Sequence, residues 1–395
     1  MEAPAAMLLL FTVAYGLSPL ARTHFGQREH LMYILAVPYF LYSARKLEAV
    51  AEDARFTLAL GALAGIGFAL KPYFLLPWAG IQAYRLAVTR RWSALFCREN
   101  VAIVIINVGY GLLVLAALPD YLPIARMAMQ VYPAFDSPLK SIFQHEIFLT
   151  FYALAALCVF VKPSKSFRDL RWVLFIVVSG FAASVVLQQK GLGYHYYPMR
   201  AAEVVLAGIL LLDLLEARWF PALTVRWKYG LACMCMLALV SRAALQGFAA
   251  LAMPRGTDRL LPVVQEKAPG QPILVLSTSA WSAFPLINYS GGTHTLRFSS
   301  LWILPGVYRD SSRPRPREAM DTTEKYLVDS LVADTEHSPP ALVIVETGNT
   351  KPGFEGRDFD FLDYFLHDAR FARIWEQYRF LEEVGNYRIF QRNHS

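Results

Sequence analysis

Charge is scarce in this sequence: 17% of its 395 residues are Asp, Glu, Lys or Arg, against 55% that are hydrophobic. A soluble domain carries about 25% charged residues. The shortfall, together with a positive mean hydropathy, argues against a single soluble globule. Cysteine is scarce too. Of the four, Cys97 sits at a loop edge, while Cys158, Cys233 and Cys235 lie in or beside apolar blocks. With none in the hydrophilic C-terminal third, a disulfide framework and a Cys-based zinc site are both disfavoured. No P-loop, dinucleotide glycine fingerprint, zincin motif or nucleophile elbow occurs, and there is no internal repeat or low-complexity segment. The net charge of +7 resides in short loops rather than on one amphipathic face, which removes nucleic acid as a partner.

What the sequence has instead is apolar blocks. They fall at roughly 6–20, 31–44, 57–70, 73–88, 101–118, 147–161, 172–187, 201–215 and 229–250, close to the ~20 residues that a helix needs to cross a hydrocarbon core. The composition therefore predicts a polytopic α-helical membrane protein of about nine spans over residues 1–250. The opening "AAMLLLFTVAYGLSPLA" is read as the first span; a signal peptide would look similar, but the basic n-region is missing. The loops "SARK", "TRRW", "VKPSKSFRDLRW" and "RWFPALTVRWK" are basic and alternate with less basic ones, so the positive-inside rule puts them in the cytoplasm. Residues 21–30, the Lys71–Pro72 turn, residues 119–146, the 188–200 loop and everything beyond residue 250 then face outward. A bacterial inner membrane with a periplasmic C-terminal part is the favoured location.

From residue 251 the texture changes. "QPILVLST", "PALVIVETG" and "YRIFQR" read as short strands, and "FLDYFLHDARFARIWEQYRFLEE" as a charged amphipathic helix. Residues 251–395 are thus expected to form an extracytoplasmic soluble α/β domain with a small three-layer core, whose aromatic-rich loop, Tyr289 to Tyr308, would suit a membrane surface.

Four constellations carry chemistry. Arg28-Glu29-His30, with His24 upstream, crowds ionisable groups at the mouth of a span. Such groups are costly at membrane depth and are functional candidates by default, although an interfacial Arg28–Glu29 ion pair that ends a helix is the plainer alternative. In "GIGFALKPYFLLPW", Gly61, Gly65 and Gly67 offer a face for close helix approach, and Lys71-Pro72 breaks the helix. Lys71 either snorkels to headgroups or holds a phosphate. The string "QQKGLGYHYYPMRAAE" gathers Lys190, Tyr194, His195, Tyr196, Tyr197 and Arg200: cations for phosphate and ring faces for a sugar, or else an ordinary interfacial aromatic belt. Glu203 is placed to neutralise Arg200. The outer loop with Asp120, Arg126, Asp136, Lys140, His145 and Glu146 reads mainly as solvated charge, with a catalytic Asp136 or Glu146 as the alternative, and its "MAMQVYPAF" portion as an interface-lying amphipathic piece.

These stretches together resemble the GT-C superfamily of integral-membrane glycosyltransferases, particularly its protein mannosyltransferase and aminoarabinose transferase branch. "GQREHLMYILAVPYFLYSARK" is similar to the family's Arg-x-Asp/Glu motif, with Glu29 as the acid. "GALAGIGFALKPYFLLP" is similar to its Gly-rich helix ending at lysine, here Lys71. "YHYYPMRAAE" is similar to its Tyr-x-x-Pro start of a late span. Such enzymes usually open with a further span and an outer loop bearing the Asp taken as catalytic base, and the resemblance implies that Met1 would fall after that region. The resemblance implies inverting transfer of a sugar from a polyprenyl phosphate to a glycan, lipid or protein acceptor, amid membrane lipids. Glu29 would be the catalytic carboxylate, and Arg28, His30, Lys71, Lys190, Tyr194, His195, Tyr196, Tyr197 and Arg200 would bind donor phosphate and sugar. No cofactor is implied, although a divalent metal is compatible with the chemistry. The rival reading is a non-catalytic membrane scaffold, or a lipid-linked glycan carrier, in cell-envelope polysaccharide assembly.

Overall fold

A computed structural model of the chain describes residues 3–45, 53–165, 167–216, 225–252, 259–308, 317–354 and 356–393. Lys46 and residues 218–224, on which part of the basic-loop reading rests, lie outside the described residues. The described chain is mostly helical with a small C-terminal sheet. It divides into two compact units, residues 1–119 with 137–253 and residues 120–136 with 254–395. The sequence-based division at residue 250 left 120–136 with the helices, whereas these residues belong to the second unit.

The helices up to residue 160 are α1 (Ala3–Leu17), α2 (Arg28–Arg45), α3 (Ala54–Ala69), α4 (Leu75–Thr89), α5 (Arg98–Ala117), α6 (Tyr121–Val131), α7 (Leu139–Phe143) and α8 (Glu146–Phe160). Then come α9 (Arg168–Gln188), α10 (Gly193–Glu216) and α11 (Val225–Ala252). Each apolar block falls mainly on one of these helices. In the first unit α3 packs on α2 and α5, α9 packs on α2, α4 and α10, and α1 packs on α10. Met32, Phe40, Phe68, Ile103, Val177 and Leu206 form part of its buried core. The glycines of α3 make this packing close, but not on one face. A Cβ on Gly61 would run into the Glu99 backbone of α5 and one on Gly65 would crowd Ile103 and Ile106, whereas Gly67 faces Met32 and Leu35 of α2.

Two helices, α5 and α9, are long and apolar enough to cross a membrane; residues 5–17, 54–69, 146–160 and 233–245 form shorter apolar helices. The apolar stretch of α5 is only 11% buried, and Ile105, Leu112 and Leu113 are each more than 60% exposed. The apolar blocks also carry charge into the packed unit, where Arg85, Glu203 and Asp213 are buried.

In the second unit the helices are α12 (Leu260–Lys267), α13 (Ala280–Ala283), α14 (Leu286–Ser290), α15 (Leu304–Val307), α16 (Thr322–His337), α17 (Phe361–Leu366) and α18 (Ala369–Trp375). Its strands are β1 (Pro272–Leu276), β2 (Thr293–His294), β3 (Leu342–Glu346), β4 (Tyr378–Val384) and β5 (Tyr387–Arg392). They form one sheet in the order β2-β1-β3-β5-β4. β1 lies parallel to β2 and β3, and β5 lies antiparallel to β3 and β4. Alternation along β1 and β3 buries both faces. Leu274, Leu276, Val343 and Val345 meet Leu327 of α16 and Phe361 and Phe371 of α17 and α18, while Ile273, Val275 and Ile344 meet Val264 of α12 and Leu286 of α14.

The long amphipathic helix expected over 361–383 is absent. Asp368 accepts the Arg370 N–H and starts a new helix, so α17 and α18 are separate. "YRFLEEV" is a strand that turns at Gly385, φ 59°, into "YRIFQR". The 119–146 segment is largely helical, and Val131 at the end of α6 is buried in the second unit's core beside Leu304, so this end packs on protein.

Candidate functional site

One end of the helical unit gathers the starts of α2, α8 and α10 and the ends of α3 and α9. Glu29 lies in the first turn of α2, where a carboxylate is favoured by the helix dipole. Lys71 stands at the break that Pro72 imposes between α3 and α4. The 188–200 segment, expected as a loop, is helical from Gly193. Pro198 sits early in α10, so only one hydrogen bond near the helix start is lost. The first turn of α10 therefore holds Tyr194 and His195 in fixed positions.

These residues converge. Lys71 Nζ donates to Glu29 Oε1 at 3.0 Å and to His195 Nε2 at 3.1 Å, and lies 5.9 Å from the centre of the Tyr194 ring. Because an ammonium has no lone pair to offer, Nε2 of His195 accepts and the ring proton sits on Nδ1. That Nδ1 is buried with no hydrogen-bond partner among the described residues. Burial, and then the charges of Lys71, Arg28 and Lys190, hold the His195 imidazole well below its ordinary range. Burial also lowers Lys71, with Glu29 opposing the shift. The site thus has a neutral His195 surrounded by three cations, of which Arg28 is exposed.

A cleft of about 170 Å³ opens at the same end, lined by His24, His145, Glu146, Gly193, Tyr196 and Arg200 among others. Tyr196 stacks on His145 with ring centres 4.2 Å apart, and Arg200 pairs with Glu146. The Glu146 side chain is 73% exposed and that of Arg200 is 36% exposed. His24 senses the charges of both Glu29 and Arg200, although burial dominates and lowers it.

The sequence candidates therefore separate into groups. Glu29, Lys71, Tyr194 and His195 come together, with Arg28 and Lys190 in electrostatic reach. Tyr196, Tyr197 and Arg200 line the cleft instead. His30 and Tyr197 are committed to the fold: Gly26 N–H donates to His30 Nδ1 at 3.0 Å, so Nε2 carries the proton and donates to the Leu17 carbonyl at 2.7 Å, and Tyr197 donates to the Gly16 carbonyl at 2.7 Å. Glu29 pairs with Lys71 rather than with Arg28, the plainer alternative, and it is 2% exposed. The partner of Arg200 is Glu146, not Glu203, whose Oε1 is buried with no partner among the described residues.

Sequence reasoning missed Ser137, which ties the 137 segment to the 190 loop through its hydroxyl on the Lys190 carbonyl at 3.2 Å. It also missed the polar pairs at the opposite end of the bundle. There Arg171 binds Asp213 at 3.0 Å, and Arg85 binds Glu99 at 3.3 Å. Isolated charges inside apolar blocks, Asp213 above all, were the available signal. Among the described residues no group of three or more His, Cys, Asp or Glu could hold a metal ion.

These features define a class: a mostly helical chain with a buried cluster of ionisable side chains and a cleft at one end of its bundle. No protein-family profile matches this chain, and no curated protein does.

Proposed function

We propose that the chain is an integral-membrane transferase of the GT-C type, moving a sugar from a polyprenyl phosphate to an acceptor at the Glu29 end of its helical bundle. The observation that carries this reading is the convergence of Lys71, His195, Arg28 and Lys190, from three separate stretches of the sequence, around an unsatisfied buried donor. A phosphate oxygen would satisfy the His195 Nδ1–H and meet the Lys71 ammonium in charge-assisted hydrogen bonds. Those bonds stabilise the leaving phosphate as the anomeric C–O bond breaks. The exposed apolar surface of α5 supports a lipid environment, since water is a poor solvent for a helix so little covered.

Residue roles follow from accessibility. Enclosed Glu29 positions Lys71. Glu146, accessible in the cleft, receives the proton of the acceptor hydroxyl as its oxygen attacks the anomeric carbon, a contribution of ~10²–10⁴-fold. Arg200 holds Glu146 in place through their ion pair, and the Tyr196–His145 stack offers the sugar a flat apolar wall.

Purified protein is titrated with a polyprenyl phosphate and with the corresponding polyprenol. Preference for the phosphate, weakened at least ~10-fold in Arg28→Ala, is expected. Equal binding of the two lipids would sink the reading. A Glu146→Gln variant that binds normally but transfers nothing separates chemistry from binding. The rival carrier reading predicts the same lipid preference and no transfer by the parent chain.

A further inference from the structure

The sheet of the second unit has its own polar centre. The segment after β1 leads to α13 and α14 on one face, and the segment after β3 leads to α17 and α18 on the other. The chain thus departs in opposite directions from the carboxyl ends of two neighbouring parallel strands. Such a switch point leaves a crevice, and it is where open α/β sheets bind ligands.

The crevice is furnished with side chains. Ser277, directly after β1, donates to Glu346 Oε2 at the end of β3, 2.6 Å away, and its own oxygen accepts the Ser279 N–H at 2.9 Å. Ser282 is 3.1 Å from Ser277, and its hydroxyl lies 3.0 Å from that of Tyr387, the first residue of β5. Thr278 Oγ1 is buried with no partner among the described residues, and the Thr278 side chain is more than nine-tenths buried. Beside them Trp281 of α13 is 66% exposed. Burial raises the Glu346 carboxyl above its ordinary range, and Ser277 opposes the shift. Packing alone explains neither an orphaned hydroxyl nor an indole left in solvent next to a hydroxyl–carboxylate chain.

We propose that this crevice binds one sugar ring of a glycan, with Glu346, Ser282 and Tyr387 exchanging hydrogen bonds with ring hydroxyls and Trp281 stacking on the apolar face of the ring. A ring hydroxyl both donates and accepts, which matches a carboxylate beside hydroxyls, and an indole supplies a broad apolar face with little entropy to lose. The binding stands without the transferase reading; within that reading the occupant is the acceptor glycan.

The test uses the full chain in a sugar-free detergent and saturation-transfer NMR. The probes are the methyl glycosides of glucose, galactose, mannose and N-acetylglucosamine. At least one should receive saturation on its ring protons, with affinity falling at least ~10-fold in Trp281→Ala and in Glu346→Gln and unaffected by inorganic phosphate. Absence of transfer to all four glycosides, a signal indifferent to both substitutions in folded protein, or displacement by phosphate would overturn the proposal. Sugar binding by a chain that transfers nothing would sink the transferase reading and leave this one. Turnover by a chain that fails these binding tests would do the reverse.

Discussion

The two ends of the helical bundle both bury charge, and they treat it differently. At one end Arg171, 1% exposed, donates to Asp213, to the Val161 carbonyl at 2.9 Å and to the Cys158 carbonyl at 3.2 Å, while Asp213 also accepts the Ser164 N–H at 2.9 Å. Nearby in kind, Asn100 receives hydrogen bonds from Tyr39 and Trp78 and donates to Gln82 at 2.6 Å. These networks consume most of the groups they bring in, with Arg171 Nε the exception among the described residues, which is what a buried polar cluster needs to be tolerated. At the Glu29 end the same helices α9 and α10 border Lys71, a His195 nitrogen without a partner, and an Arg200–Glu146 pair that stays half open. A closed network holds helices in register; an incomplete one is built to be completed by something else.

The largest expected effect comes from opening the closed end. Asp213→Leu strands the Arg171 guanidinium in the core and should cost about 3–5 kcal/mol, whereas adding Arg171→Met to it should recover most of the loss. Denaturant unfolding of the purified protein checks both. A single substitution as mild as the double would mean that Arg171 finds water or another acceptor, and the contrast between the ends would collapse. Close packing of the same helices gives the next effect. Gly61→Ala forces α3 away from the Glu99 backbone and should destabilise by about 1–3 kcal/mol, read in the same unfolding experiment against Gly109→Ala, where nothing lies within 4 Å.

How much of this was legible follows from the residues. The helices were readable because length and hydropathy fix them locally, and the strands of "ILVL", "LVIV" and "RIFQ" likewise. Glu29, Lys71 and His195 were individually visible as charges beside apolar blocks. Their mutual contacts were not, because pairing across 42 and 124 residues is decided by helix packing. The same packing hid the commitments of His30 and Tyr197, whose partners are backbone carbonyls with no residue-type signature. The break at Asp368 was written in the sequence as an N-cap, but helical periodicity on both sides masked it.

Acid sharpens the comparison from the other side. His195 titrates below its ordinary 6.5 in the folded chain, and His24 and His145 are lowered by burial as well. Unfolded chains therefore bind more of these protons below pH 6.5, so stability should fall as pH drops from 7 towards 5. Replacing His195 with Gln should flatten that part of the profile. A melting temperature that is level across this window would mean that His195 is not held neutral.

The smallest effect on stability belongs to the open end. Arg200 and Glu146 form an ion pair across half-exposed and exposed side chains, where solvent screens the attraction and two flexible side chains lose freedom. Arg200→Ala should therefore cost no more than ~1 kcal/mol, several-fold less than Asp213→Leu. Yet the two pairs bracket the same helix: Arg200 lies in the second turn of α10 and Asp213 in its last turns. If Arg200→Ala proved as destabilising as Asp213→Leu, the cleft would be part of the scaffold. If it leaves unfolding nearly unchanged while abolishing transfer, the pair is maintained for chemistry, because a contact that adds so little to the fold has no structural reason to keep a cation and a carboxylate facing each other across an open cleft.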